Sequence, residues 1–137
     1  VDFKISLTDG SYHTVDSSEM AFKIAGSMAF QKGVMDCQPI LLEPIVNISI
    51  EIPEEYMGDV IGDLNSRRGR VMGMDANGSL QIIKGQVPLA EILKYAPDLR
   101  SMTSGRGNFT YTESHYEEVP SYIAEKIIAE FKKNKEE

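Results

Sequence analysis

Residues 45–52 read IVNISIEI, and residues 53–70 follow at once as PEEYMGDVIGDLNSRRGR. In the first stretch Ile48, Ile50 and Ile52 alternate with Asn47, Ser49 and Glu51, the period of a half-buried strand. In the second, Pro53 occupies a place where a first helical residue tolerates proline, and Glu54 and Glu55 favour the positive end of a helix. Met57, Val60, Ile61 and Leu64 then recur at helical spacing, and Gly69 closes the helix. A strand that hands over directly to a helix is the first half of a β-α-β unit.

The same signals continue outward. Residues 70–76 and 79–87 read as two strands joined by DANG, whose Asn77-Gly78 is a hairpin turn pair. Pro88 opens a second helix carrying Leu89, Ile92 and Leu93, which Pro97 breaks or kinks. NFTYTESHY (108–116) alternates as a last strand. After Pro120 a final helix places Ala124, Ile127, Ile128 and Phe131 on one face and ends in lysine and glutamate. The order β-α-β-β-α-β predicts an α+β fold: a ferredoxin-like antiparallel sheet over 45–118 with two helices on one face.

Upstream, Pro39 and Pro44 bracket ILLE as an extended link between two units. Val1, Phe3, Ile5 and Leu7 alternate with polar residues, which predicts a strand over 1–7; Asp9-Gly10 turns the chain. Asp16 with Glu19 forms a capping box, and Val15 with Met20 has the spacing of a hydrophobic staple. They announce a helix with Ala21, Ile24, Ala25 and Met28 on its apolar face, stopping near Gly33. A strand, a loop and a helix cannot close a core alone, so residues 1–44 read as a piece of a second α+β domain or as an addition to the main unit.

Several function classes recede on composition. The single cysteine, Cys37, reads as a buried small hydrophobe in a reducing compartment. No apolar run approaches the roughly 20 residues of a membrane span, and no leader precedes the first strand pattern, so a soluble, cytoplasmic protein is expected. No phosphate-binding GxxxxGK[ST] motif is present, His13 and His115 fall in different units, and neither is paired with a metal ligand or nucleophile. Glu54-Glu55 and Glu117-Glu118 sit at element ends, where capping and solubility account for them. Neither a catalytic residue nor a metal site is expected in this chain.

The net charge of −7 argues against a general affinity for nucleic acid, yet all the arginines (Arg67, Arg68, Arg70, Arg100 and Arg106) fall in one central segment. Arg67, Arg68 and Arg70 surround the turn at Gly69, and Arg106 lies in the SMTSGRG loop before the last strand. Planar guanidinium groups there suit phosphate contacts. The other reading is that they cap a helix C-terminus and pair with acids such as Asp59 and Asp63. Gly10, Ser11, Tyr12 and His13 present a second candidate: an aromatic ring and an imidazole after a flexible pair can stack on bases or bond to backbone oxygens. An ordinary exposed loop histidine, with Tyr12 packed back on the sheet, is the alternative.

DGSYHTVDSSEMAFKIA (9–25), LLEPI (41–45), IPEEYMGDVIGDLNSRRGR (52–70), VPLAEILKYAPDLRSMTSGRGNFT (87–110) and HYEEVP (115–120), in that order, closely resemble the C-terminal part of translation elongation factor G. The resemblance implies that residues 1–44 are the end of the fourth domain, 45–118 a ferredoxin-like fifth domain, and 119–137 a C-terminal helix and tail. It implies a translational GTPase whose GTP and magnesium sit in an N-terminal domain outside these residues. Its partner is the ribosome: ribosomal RNA, with tRNA and mRNA at the decoding site. A monomer is expected, with no DNA or membrane partner. Gly10, Ser11, Tyr12 and His13 become a tip loop, with His13 closest to the codon–anticodon region, and Arg67, Arg68, Arg70 and Arg106 the ribosomal-RNA side of the fifth domain. LKYAPDLRS (93–101) departs from the commoner FGYATDLRS, as in divergent paralogues acting in recycling or specialised translation. The intact GSYH loop argues against tetracycline-protection relatives. The competing reading from another class is a ferredoxin-like protein-interaction module.

Overall fold

A computed structural model describes residues 2–11 and 18–136, which divide into two compact units, Val1–Pro39 and Ile40–Glu137. Among its described residues the smaller unit holds one helix, α1 (Glu19–Asp36). The larger unit is a four-stranded antiparallel sheet in the order β2-β3-β1-β4, with elements β1 (Leu42–Pro53), a 3-10 turn (Glu54–Tyr56), α2 (Met57–Ser66), β2 (Arg70–Asn77), β3 (Leu80–Pro88), α3 (Leu89–Ile92), α4 (Tyr95–Met102), β4 (Asn108–Glu118) and α5 (Ser121–Glu136). This is the expected α+β, ferredoxin-like arrangement.

Alternation in the central strand β1 sends Val46, Ile48, Ile50 and Ile52 to one face. There they meet Ile83 and Val87 of β3, Val60 and Leu64 of α2, Ile92 of α3, and Tyr95 and Leu99 of α4 in one core. Burying each such side chain is worth roughly 1.5–3 kcal/mol, which makes this face the source of the fold's stability. Asn77 closes β2 by pairing with Leu80, so the two turn residues are Gly78-Ser79, one position later than the expected Asn77-Gly78, and Gly78 takes the φ of +63 that the first place of such a turn requires.

Prolines account for three small corrections. Pro53 and Pro88 end their strands and precede their helices instead of opening them, each extended at φ −61. Pro44 belongs to β1, not to a link: it pairs with Tyr116 of β4, while β3 begins its pairing one residue later, at Ile45↔Pro88. A proline beyond the end of one neighbour interrupts nothing on that side. The second helix of this unit breaks at Leu93–Lys94, not at Pro97, which sits in the first turn of α4, where an N–H has no helical partner to lose.

Both exits from the sheet lie together. Leu42 pairs with Glu118, and the Val119 N–H donates to the Leu41 carbonyl at 2.9 Å. In β4 the register slips opposite Ile45 and Val46, leaving a bulge at Ser114.

The smaller unit differs from the sequence expectation in several places. Residues 2–10 form no strand, and Phe3, Ile5 and Leu7 are exposed. Among the described residues none pairs with them, and alternation without a neighbour's hydrogen bonds does not make a strand. Helix α1 is capped by Ser18, whose Oγ accepts from the Ala21 N–H at 3.1 Å. Asp16 and Val15, assigned to the capping box and staple, lie outside the described residues. The helix passes through Gly33, because one interior glycine costs only about 1 kcal/mol and no proline intervenes before Pro39. Its expected apolar face, including Ile24 and Met28, is exposed, as is Cys37 at the C-cap, against the expectation of burial. The described part of this unit has no second layer to cover them; Phe3 and Phe30 make one tilted ring contact at 5.8 Å.

Candidate nucleic-acid interface

Arg67 is the C-cap of α2, followed by Arg68 at φ 60 and then Gly69. The Gly69 N–H reaches back to the Leu64 carbonyl at 2.9 Å and the Arg68 N–H to that of Asn65 at 3.2 Å, the two bonds of a Schellman close. Here the left-handed position carries an arginine where glycine is favoured. Gly69 is needed for another reason: a Cβ on it would stand 2.7 Å from Leu64 Cγ and 2.8 Å from Leu64 O.

The two guanidiniums are drawn inward. Arg67 donates Nε to Asp63 at 2.7 Å, Nη1 to the Glu91 carbonyl at 2.9 Å and Nη2 to Asp98 at 2.6 Å. Its guanidinium carbon lies 4.9 Å from the centre of the Tyr95 ring. Arg68 grips Glu43 with both Nη atoms, at 2.6 and 2.9 Å, and donates Nε to Glu91 at 3.3 Å. Only 18% and 21% of these two side chains remain exposed. The hydrogen bond to Asp63 raises the pKa of Arg67 against the opposing effect of burial, and that to Glu43 does the same for Arg68. Both cations also sit at a helix C-terminus, where the backbone carbonyls favour them.

Arg70 is different. Its side chain is 72% exposed, with one long contact, 3.5 Å to Glu117, a carboxylate that also meets His115 Nε2 at 2.7 Å. Arg70 pairs with Gln86, Gln86 with Asn47, and Asn47 with Thr112. Asn47 is exposed between the buried Val46 and Ile48, so this row lies on the sheet face away from the core.

Arg106 is not brought into this cluster. It is held by Glu55 at 3.1 Å and by the Tyr56 hydroxyl at 3.1 Å, beside the 3-10 turn that precedes α2. Arg67 and Arg68 stand at the other end of that helix, about 15 Å along its axis. Arg100 is exposed on α4. In the tip loop, Gly10 is exposed and its N–H meets Asp9 Oδ1 at 2.7 Å; Ser11 is exposed, and Tyr12 and His13 lie outside the described residues.

Of the acids proposed from sequence as arginine partners, Asp63 takes that role, at the i,i+4 spacing that could reveal it, while Asp59 makes no ion pair among the described residues. Glu43, Glu91 and Asp98 had no sequence signal, being 25, 23 and 31 residues from their arginines. Among the described residues no cluster of histidine, cysteine, aspartate or glutamate could hold a metal, and no helix is long and apolar enough to cross a membrane.

The family model described as elongation factor G C-terminus matches residues 40–127, and that described as elongation factor G, domain IV, matches residues 1–38. A crystal structure of a protein from Thermus thermophilus is 48% identical and covers 89% of this chain with a TM-score of 0.73; the chain spans 18% of that protein's length. With the first match alone taking in most of its residues, the chain belongs to the elongation factor G family, as a C-terminal portion that joins domain IV sequence to the C-terminal ferredoxin-like domain.

Proposed function

We propose that this chain is the ribosome-binding C-terminal part of a translational GTPase that promotes GTP-dependent movement of tRNA and mRNA during elongation, and that it has no catalytic site of its own. The observation that carries the reading is the match of both family models, in order, along one chain. Gly10, Ser11, Tyr12 and His13 serve as the tip that reaches RNA at the decoding site, and the arginine-bearing loops face ribosomal RNA. GTP and magnesium belong to a domain outside these residues. The protein works in the cytoplasm as a monomer, without membrane or DNA partners.

Co-sedimentation of the 137-residue chain with purified ribosomes tests this. Binding that weakens as salt rises is expected, because phosphate contacts release counterions. Failure to sediment at low salt overturns it. The departure LKYAPDLRS falls on the α3–α4 elbow and supports a second reading, a paralogue acting in ribosome recycling. A full-length parent that drives subunit splitting but not translocation in a purified system establishes the second reading over the first.

A further inference from the structure

We propose that the arginine cluster is divided in labour: Arg70 is the residue that meets a phosphate of ribosomal RNA, and Arg67 and Arg68 are positioning residues that hold the turn presenting it. This rests on the ribosome-binding reading above and adds a residue-level assignment to it.

Each guanidinium would leave a different partner behind on turning outward. Swinging Arg68 toward a phosphate would strand Glu43, whose side chain is only 12% exposed, and swinging Arg67 would strand Asp63 at 22%. An uncompensated carboxylate in such a place is costly, so both cations are committed to the protein's own acids. Arg70 gives up one 3.5 Å contact with Glu117, which keeps His115 as a partner.

The backbone around Arg70 is fixed from both sides. Gly85 leaves so little space that a Cβ on it would come within 2.5 Å of the Arg70 carbonyl oxygen, so the first residue of β2 is seated directly on β3. Before it, Arg68 keeps a left-handed backbone that glycine would adopt without strain. A residue held in a disfavoured conformation is maintained by its surroundings, and here they are the two-pronged grip on Glu43 and the bond to Glu91. The turn is thereby locked, and the exposed side chain that leaves it is that of Arg70.

Ribosome co-sedimentation across a potassium chloride series separates the roles. Arg70→Gln should weaken binding several-fold at low salt and reduce the slope of log affinity against log salt by about one, and Arg70→Lys should restore the slope. Arg68→Gln and Glu43→Gln should lower the melting temperature and, measured well below it, displace the binding line in parallel with its slope intact. Arg68→Lys, which keeps charge without the fork, should behave like Arg68→Gln. An unchanged slope in Arg70→Gln, or a slope reduced by one in folded Arg68→Gln, overturns the division of labour. Wild-type chain that fails to bind at any salt overturns the ribosome reading, and this assignment with it.

Discussion

Tyr95 concentrates the chemistry of the core at one residue. It is fully buried, its ring lies edge-on to Phe109 at 5.0 Å between centroids, and the Arg67 guanidinium covers a face. Its hydroxyl has no hydrogen-bond partner among the described residues. Burial, reinforced by the charge of Asp63, pushes its pKa up to about 12. An unfolded tyrosine ionises near pH 10. A folded pKa above the unfolded one means the stabilisation is complete below about pH 10 and is lost as pH rises through about 12. The shift corresponds to about 3 kcal/mol. Urea denaturation from about pH 9 to about pH 12 should show this fall in the wild type and not in Tyr95→Phe. At neutral pH that variant should be within about 1 kcal/mol of wild type, because the removed hydroxyl is unpaired.

At the scale of elements, the close of α2 needs Gly69 as well as the arginine contacts. A Cβ there collides with Leu64, a core residue that cannot retreat, so Gly69→Ala should cost about 1–3 kcal/mol, read as a lowered urea midpoint with an unchanged slope. The glycine was visible in the sequence as a helix end, but its reason was not. Sequence closes the helix at Gly69; the left-handed residue of that close is Arg68. The same division runs through the fold. The period of 2 in β1, the period of 3.6 in α2 and the Asn77-Gly78 turn signal reported local geometry, and all three elements formed, the hairpin turning one residue later at Gly78-Ser79. Alternation at residues 2–7 reported which face a strand would bury, but carried no information on whether a neighbour exists to pair with it. In the candidate site, Asp63 could be read from helical spacing, whereas Glu43, Glu91 and Asp98 meet their arginines only after the sheet has folded the chain back on itself.

For the whole molecule, the core lies within residues 46–99, entirely inside the larger unit, and no described residue of the smaller unit is buried. A chain of residues 40–137 should therefore keep the cooperative melting transition of the full chain, within about 2–3 °C, since a shift of that size corresponds to well under about 1 kcal/mol in a domain of this length. Thermal circular dichroism of the two chains compares them directly. Loss of the transition on shortening would place essential packing in the first 39 residues.

The bond from the Val119 N–H to the Leu41 carbonyl has a mechanical meaning. It ties together the point where the chain enters the sheet and the point where it leaves for α5, at the same end of an antiparallel pair. Tension between those two points pulls across the strands, along the hydrogen bonds, which lie perpendicular to the chain. The ladder would then open like a zipper, one rung after another from Leu42 and Glu118 inward, instead of resisting as a sheared whole.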